Sequence, residues 1–467
     1  MGSSCSYDGG HQPTLDEVST NLRAGADWTH RRDLPDLNGW ADFNPAPELV
    51  RRRLISRLRE GRCPSVGHTF PLPKPGTNEL RWLAWLNPYD DLYLRILAGR
   101  VVTAIDTALG RDVFSHRLAT KPPGWSVKNR NKSFDLMRDR GRALLADERC
   151  DALGVADVKH YYPSIAPDVL MDALCQIASP RGAARLICGF LRELSPMGTP
   201  RGLPIGPEAS GVLGNVVLLG LDRAISCRSL GHVRYTDDSW IFLLAESDWP
   251  EVFDIYVSSV SDVGLRVNPS KVAIHPKGSE GAENAIHHLR IAYLTSPGAP
   301  DRTDQGSVEE IREELDRDEP DWNVVGFHLD SLRHKGSALG LDLLYEYPHV
   351  MDELPRHAGQ YLWALAHTRK TRNQIDRDWL VEQATARPAA RSVAGKLHLC
   401  RVASQIRLGK NTANAWTKSL PTAVWDTTPH SGHGRPRLGD PPRHIGQNTP
   451  SNTHATLATS PFDEPSP

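Results

Sequence analysis

Two adjacent aspartates, Asp237 and Asp238, are the residues of this sequence best suited to do chemistry. They follow Tyr235 and Thr236 and lie between two β-prone runs, a pattern that predicts a β-hairpin with both carboxylates at its turn. Adjacent carboxylates repel each other, so a protein that keeps them together usually supplies a cation. The pair therefore indicates a metal site, with a solvated Asp-Asp turn as the structural alternative.

A third aspartate, Asp157, lies in the apolar run 152–158 and is followed by a turn containing Pro163. This pattern places Asp157 at the end of a predicted strand, where it could face the hairpin in the same sheet. Three converging carboxylates suit two Mg²⁺ ions about 4 Å apart, which clamp the attacking and leaving oxygens of a phosphoryl transfer. Capping or turn duty is the alternative for a strand-end aspartate.

Between these segments lies the string RGLPIGPEAS at 201–210. Its glycines, Gly202 and Gly206, allow the backbone to approach a ligand closely, and Pro207 suits the start of a helix that carries Ser210. A glycine- and proline-rich helix start without a ligand is the structural alternative.

The elements around these motifs predict a mixed architecture. From 65 to 295, apolar helical stretches alternate with short strand-like runs, as in α+β or α/β proteins. Residues 1–64 are interpreted as an N-terminal extension whose regular element is an amphipathic helix over 45–61. An acidic stretch and helical patterns at 300–410 predict an α-helical, repeat-like domain, and the composition of 421–467 predicts a disordered, Pro-rich tail.

Composition bounds what the chain can be. With 55 Lys+Arg and 56 Asp+Glu the net charge is −1, so any nucleic-acid surface must be local. The mean hydropathy of −0.43 and the lack of a long apolar run argue against a membrane protein. Seven cysteines without a Cys-x-x-Cys pair are expected to be buried free thiols, and the first residues lack a signal-peptide pattern, so a cytoplasmic protein is expected.

A local excess of positive charge lies between residues 117 and 142, where two aspartates accompany eight cations: Arg117, Lys121, Lys128, Arg130, Lys132, Arg138, Arg140 and Arg142. Trp125 and Phe134 are interspersed among them. Cations that neutralise phosphates and aromatic rings that stack on bases are the combination of single-strand tracks. The alternative is a solvated helix face with aromatic anchors.

The three acidic and glycine-rich segments, in this order, resemble motifs A, B and C of the palm domain of reverse transcriptases. The stretch Pro73-Lys74-Pro75-Gly76 with Arg81 resembles the fingers motif of the bacterial enzymes, and 264–271 resembles motif D with its lysine. Many reverse transcriptases have Gln where this chain has Ile205. The Pro-Ile-Gly-Pro turn and the run VFSHRL resemble the abortive-infection and other defence-associated reverse transcriptases.

This resemblance implies an α+β right-hand polymerase with fingers and palm at 65–295 and an α-helical C-terminal domain in place of the usual thumb. It implies an RNA-directed DNA polymerase that uses two-metal nucleotidyl transfer, with Mg²⁺ or Mn²⁺, in antiphage defence. The implied partners are an RNA template or noncoding RNA, a DNA product and dNTPs, with no membrane. Homo-oligomerisation through the helical domain is left open.

Residue roles also follow from the resemblance. Tyr162 would be the gate whose ring excludes a 2′-hydroxyl. Lys271 would protonate the departing pyrophosphate, with an ordinary strand-edge lysine as the alternative. The implied metal ligands are Asp157, Asp237, Asp238 and Val158. The implied nucleotide-binding residues are Lys74, Arg81, Tyr162, Gly206 and Ser210.

Two rival functions are carried forward. One is template-independent or protein-primed DNA synthesis, with Tyr345, Tyr347 and Tyr361 as either primer hydroxyls or core aromatics. The other is a catalytically silent interaction scaffold. Three clustered carboxylates argue against a scaffold, since a scaffold has no need of their mutual repulsion.

Overall fold

The protein is described from a computed structural model at residues 12–29, 43, 45–64, 68–77, 79–177, 179–194, 202–287, 303–385 and 393–406. It combines many helices with small antiparallel sheets and is an α+β protein, as predicted. The described strands are β1 (His68–Pro73), β2 (Leu80–Trp85), β3 (Leu118–Thr120), β4 (Ser126–Val127), β5 (Ala152–Ala156), β6 (Gly231–Tyr235), β7 (Asp238–Leu243) and β8 (Ala273–Pro276).

Helices before residue 300 surround the sheets. They are α1 (Leu15–Thr29), α2 (Pro47–Arg59), α3 (Pro88–Gly99), α4 (Val102–Ala108), α5 (Arg130–Ala146), α6 (Tyr161–Ser164), α7 (Pro167–Cys175), α8 (Arg181–Leu194), α9 (Glu208–Val217), α10 (Leu219–Ser226), α11 (Trp249–Asp262) and α12 (Glu280–His287).

Every element described between 303 and 406 is a helix. They are α13 (Asp304–Leu315), α14 (Trp322–Lys335), α15 (Leu341–Glu346), α16 (Val350–Glu353), α17 (Pro355–His367), α18 (Arg369–Arg372), α19 (Arg377–Thr385) and α20 (Val393–Gln405). The helical pattern breaks next to Pro348 and at Pro355, where α17 begins, as the sequence predicted. The predicted disordered tail lies outside the described residues.

A four-stranded antiparallel sheet in the order β6-β7-β5-β8 is the centre of the first part of the chain. Side chains of β5 and β7 alternate between its faces, as the two-residue period of a strand requires. One face contributes Ala156, Ile241 and Leu243 to the main hydrophobic core, and the other contributes Leu153 and Phe242 to a smaller cluster with α5 and α12. Both faces are therefore covered, and only the strand ends are left for chemistry.

The main core is built on α3 and α9, which are buried along most of their length. Arg95 of α3 and Glu208 of α9 form a buried ion pair. Paired burial of this kind avoids an uncompensated charge in the core. The helix α9 follows the glycine-rich turn, so the packing of α3 against α9 fixes where that turn ends.

A second hydrophobic core joins the C-terminal helices to the β1–β2 hairpin. Phe70, Leu72 and Leu83 of the hairpin cluster with residues of α13 to α20. Ala84, on the opposite face of β2, belongs instead to the main core. The hairpin thus lies between the two cores, although the sequence assigns it to the region 65–295 alone.

The structure corrects two expectations about the N-terminal extension and the cysteines. The extension contains a helix that the sequence analysis missed, α1, which buries Val18 and Leu22 in the main core. The predicted helix at 45–61 is present as α2. Cys175 and Cys227 are exposed rather than buried, since both lie on helix ends that face away from the core.

No single described helix is long and apolar enough to cross a membrane. The bent pair α9 and α10 passes that test when taken together, with 47° between the two helices. Both helices contribute side chains to the main core.

Candidate active site

The turn that carries Asp237 joins β6 to β7, as the sequence predicted. The last residue pair between β6 and β7 is Tyr235 with Asp238, so Thr236 and Asp237 are the two turn residues. Thr236 has a φ of 61°, a left-handed conformation that a β-branched residue rarely adopts. Asp238, the first residue of β7, is exposed.

Asp157 directly follows β5 and reaches the same edge of the sheet. The antiparallel strands β5 and β7 pair at Ala156 and Ser239, so the next pair along brings Asp157 opposite Asp238. Carboxylate oxygens of Asp157, Asp237 and Asp238 all lie within 4.8 Å of one another. The predicted convergence of three carboxylates is confirmed, and the group could hold a metal ion.

Burial and mutual repulsion raise the pKa of two of these carboxyls. Burial, followed by the charges of Asp238 and Asp157, raises the pKa of Asp237 to about 7. About half of the Asp238 side chain is open to solvent, but the surrounding protein still desolvates its carboxylate and raises its pKa to about 6, with Lys271 opposing this rise and Asp157 adding to it. A divalent cation among these oxygens would favour their charged forms, so the donor set fits Mg²⁺ or Mn²⁺ in both charge and ligand type.

Lys271 lies on the other side of Asp157. The strands β5 and β8 pair at Val155 and Ala273, and this register, continued by two residues, brings Lys271 opposite Asp157. Its Nζ is 2.9 Å from Asp157 Oδ1 and 3.5 Å from Asp238 Oδ1. Burial lowers the pKa of Lys271, but the carboxylates outweigh burial and the pKa is raised. The ammonium therefore stays charged beside the carboxylates.

The backbone after Asp157 is held by the segment around Asn268. Lys159 N donates to Arg266 O at 2.8 Å, and Asn268 N donates to Asp157 O at 2.8 Å. These two bonds flank the isolated bridge between Val158 and Val267. In an antiparallel pair of that kind the bridge residues do not bond each other, so the Val158 carbonyl is not used by this pairing.

Tyr162 lies on α6, directly after the Asp157 strand end. Its ring packs against α9, where a Cβ placed at Gly214 would be 3.0 Å from Tyr162 Cε1. Tyr161 OH donates to Gly214 O at 2.6 Å and fixes the same helix turn. Burial, followed by the Asp237 charge, raises the pKa of Tyr162, and the nearby Thr236 side chain opposes that rise. A neutral aromatic ring therefore lies beside the carboxylates.

The glycine-rich turn is tied to the β1–β2 hairpin. Ala84 N donates to Ile205 O at 2.8 Å, and Gly206 has a φ of 131°, which favours glycine. Pro207 directly precedes α9, as predicted. Ser210 is buried on that helix, and its Oγ has no hydrogen-bond partner among the described residues.

Lys74 and Arg81 lie on the β1–β2 hairpin rather than among the carboxylates. Lys74 Nζ is 2.9 Å from Glu79 Oε2, and Arg81 is exposed on β2. The pKa of Glu79 is lowered mainly by Lys74 and further by His160 and Lys159. The hairpin therefore faces the turn that follows the β5 aspartate.

A buried arginine supports the β6–β7 turn. Arg234 is fully buried and donates to both Asp222 carboxylate oxygens at 2.7 Å. Its Nη1 also donates to Thr236 O at 2.7 Å and to Asn215 Oδ1 at 3.1 Å. The carbonyl of the strained turn residue is thereby anchored to α9 and α10.

Ser115 bonds the backbone N–H of Thr236, whereas Arg234 bonds its carbonyl. Thr236 N donates to Ser115 Oγ at 2.8 Å, and that hydroxyl donates to Asn215 Oδ1 at 3.1 Å. Asn215 Nδ2 donates back to Ser115 O at 2.7 Å. The sequence analysis gave no role to this network. Its members are far apart in sequence, and only the position of Arg234 beside the Tyr-Thr-Asp-Asp turn could have drawn attention to it.

The basic segment 117–142 divides into paired and unpaired cations. Arg117 and Arg140 pair with Asp106 and Asp112, which lie outside the segment and which the local count of charges therefore missed. Arg138 and Arg142 pair within α5. The remaining cations have no carboxylate partner among the described residues, and all are exposed: Lys121, Lys128, Arg130 and Lys132.

The interpretation of Trp125 as a base-stacking residue is wrong. Its side chain is fully buried beneath Arg95, whose guanidinium lies 4.2 Å from the ring centroid, and its Nε1 donates to Arg95 O. Phe134 is only partly buried and contacts Tyr235, with 5.4 Å between ring centroids. This aromatic pair connects the basic segment to the β6–β7 turn.

Hydrogen bonds occupy all three C-terminal tyrosine hydroxyls. Tyr361 is fully buried and donates to Ser337 O, which agrees with the core interpretation. Tyr345 OH accepts from Asp376 N, and Tyr347 OH donates to Asp316 Oδ1.

No protein-family model matches the chain, and no curated protein matches its sequence. Among solved structures, the chain is similar to telomerase from Candida albicans in complex with a TWJ fragment of telomeric RNA, with a TM-score of 0.35 and 10% identity. The match covers 76% of this chain and 66% of that one. Apo telomerase from Candida tropicalis gives a TM-score of 0.33 at 10% identity, over 80% of this chain and 71% of that one. The function is therefore inferred from the chain's own residues.

Proposed function

We propose that the protein is a reverse-transcriptase-type polymerase that adds deoxynucleotides to a 3′ end. The observation that carries this proposal is the convergence of Asp157, Asp237 and Asp238 within 4.8 Å. Two of these residues lie at a hairpin turn and the third at the end of the neighbouring strand, the arrangement expected for palm motifs A and C. The β1–β2 hairpin would form part of the fingers.

The carboxylates would hold the metals, together with the Val158 carbonyl. Bound Mg²⁺ supplies Lewis acidity to the attacking hydroxyl and to the departing pyrophosphate. The protein fixes the ligand geometry through strand register, because Asp157 falls opposite Asp238. Lys271 lies close enough to the carboxylates to deliver a proton to the leaving group.

Tyr162 would select the sugar. Its ring is wedged against α9 at Gly214 and adjoins the carboxylates, so it has little room to retreat from a 2′-hydroxyl. Gly206 and the neighbouring backbone would approach the nucleotide from the glycine-rich turn, with Lys74 and Arg81 as phosphate contacts on the hairpin.

Exposed Lys121, Lys128, Arg130 and Lys132 would hold template or product phosphates. Lys128, Arg130 and Lys132 lie at or just before the start of α5, and Phe134 of that helix contacts Tyr235 beside the β6–β7 turn. A cationic surface that reaches the turn supports a nucleic-acid substrate over a free nucleotide alone. The antiphage setting, the cytoplasmic location and a noncoding RNA partner are proposed from sequence resemblance.

Primer extension tests the proposal. The purified chain with Mg²⁺ is expected to extend a DNA primer on an RNA template, and to prefer dNTPs to rNTPs. Equal incorporation with the template omitted would favour untemplated synthesis. Absence of any incorporation, with Mg²⁺ or Mn²⁺, would contradict a polymerase.

A further inference from the structure

The turn that carries Asp237 is strained, and the surrounding network opposes that strain. Thr236 has a φ of 61°, and this conformation is costly for a β-branched residue, at about 1–3 kcal/mol. Such a residue persists only where its surroundings over-determine it. Both backbone polar groups of Thr236 are held by side chains, and the residue is 8% exposed.

The two side chains that bond the Thr236 backbone, Ser115 and Arg234, are themselves fixed by further hydrogen bonds. The Ser115 hydroxyl accepts from Thr236 N and donates to Asn215 Oδ1, so neither direction is left over. The Arg234 guanidinium is fixed by two bonds to Asp222 before it reaches Thr236 O. Because the Arg234 donor and the Ser115 acceptor are fixed in position, they oppose rotation of the Thr236 backbone. A turn bonded only to water would rotate freely.

We propose that Ser115 and Arg234 are positioning residues that hold Thr236 in its left-handed conformation and thereby aim the Asp237 carboxylate at Asp157 and Asp238. This inference deepens the proposed function, on which it rests. Released from the network, Thr236 would relax toward negative φ. The next side chain along the chain is that of Asp237, so the carboxylate would move away from the cluster.

Ser115 gives the cleaner test because it is small and neutral, whereas a variant of the buried Arg234 would leave Asp222 uncompensated. Ser115→Ala leaves Thr236 N without its acceptor. We expect divalent-cation affinity, measured with Mn²⁺ alone by electron paramagnetic resonance, to weaken by about tenfold. Ser229→Ala, which removes a serine hydroxyl bonded to Ile225 O at 2.8 Å elsewhere in the chain, is the control and should bind as wild type.

The variant Thr236→Gly tests whether Ser115 acts by holding the backbone conformation of residue 236 or only by stabilising the surrounding structure. Glycine accepts positive φ without strain, so the turn no longer needs to be held. The double variant Ser115→Ala with Thr236→Gly should therefore bind Mn²⁺ within about threefold of Thr236→Gly alone. Ser115→Ala should by contrast weaken Mn²⁺ binding by about tenfold when Thr236 is present.

The outcomes are distinct. Wild-type affinity in Ser115→Ala, or an equal loss in both backgrounds, would overturn the positioning role while leaving the polymerase proposal intact. Failure of the wild-type chain to bind Mn²⁺ would instead contradict the proposed metal site itself. Should Ser115→Ala not purify as a folded protein, Ser115→Cys is measured with Thr236 and with Gly at position 236. It is expected to weaken Mn²⁺ binding less than Ser115→Ala, and again only when Thr236 is present.

Discussion

At the scale of single residues, the proposed chemistry is tested most directly at Asp237. Asp237→Asn removes one charge and one metal ligand from a turn whose backbone is held by other residues. We expect Mg²⁺-dependent incorporation to fall by at least about a thousandfold, or about 4 kcal/mol of barrier, in primer extension. Activity within tenfold of wild type would remove Asp237 from the catalytic set.

The same variant has an expected effect on stability. The pKa of Asp237 is raised to about 7 in the folded protein, above its unfolded value, so the folded state binds the proton more tightly. Its contribution to the free energy of unfolding is present at low pH and is lost as pH rises from about 4 to about 7. In EDTA, urea unfolding should show this loss in the wild-type chain and a flatter profile in Asp237→Asn. Identical profiles would contradict the shifted pKa.

Tyr162 is the second residue for which a prediction is made at this scale. Tyr162→Val should raise the use of ribonucleotides relative to deoxynucleotides, because the smaller side chain leaves room for a 2′-hydroxyl. Competition between dNTP and rNTP in single-nucleotide extension measures this ratio. Tyr161→Phe is the matched control, since it loses only a hydroxyl bond to Gly214 O and should keep the wild-type ratio. A wild-type protein that already prefers rNTPs would overturn the role of Tyr162.

At the scale of elements, the start of α5 is the test of nucleic-acid binding. Charge reversal at Lys128, Arg130 and Lys132 should weaken binding of a single-stranded RNA and reduce the slope of log affinity against log salt by about 2. Fluorescence anisotropy over a salt series measures both. Arg142→Glu in the same helix is the control and should cost less per charge, because Arg142 already pairs with Asp139 at 2.8 Å.

The outcome of that experiment also discriminates between functions. Template-directed extension should fall together with RNA binding. A triple variant that loses RNA binding yet incorporates nucleotides normally without template would point to untemplated synthesis instead.

The secondary-structure elements also show which features can be predicted from the sequence. The β6–β7 hairpin and the strand before Asp157 were predictable because their signals are local: alternating apolar residues and a turn rich in aspartate. The burial of Trp125 was not, since composition does not tell which way a side chain faces. The network in which Arg234 bonds Asp222 and Asn215, and Ser115 bonds Asn215, depends on distant parts of the chain meeting, and no local pattern encodes it. Helix α1 was missed because its two fully buried residues, Val18 and Leu22, form only a narrow apolar stripe.

At the scale of the whole molecule, the β1–β2 hairpin links the two cores. Phe70 is 3% exposed in the second core, so Phe70→Ala should destabilise the protein by about 3–5 kcal/mol. Hydrogen exchange should then speed up in the helices after residue 303 as well as in the hairpin. Leu339→Ala, at a residue 49% exposed, is the control, with an expected change within about 0.5 kcal/mol. Faster exchange confined to the hairpin would show that the two parts unfold separately.

The position of this hairpin limits how the molecule can move. One face of it belongs to the C-terminal helices through Leu83, while Ala84 belongs to the main core and bonds the backbone of Ile205. An element held on both sides cannot swing as a free lid over an incoming substrate. Any opening must carry the C-terminal helices with it or break the link to the glycine-rich turn. In the proposed polymerase, substrate entry would then depend on movement of the C-terminal helices.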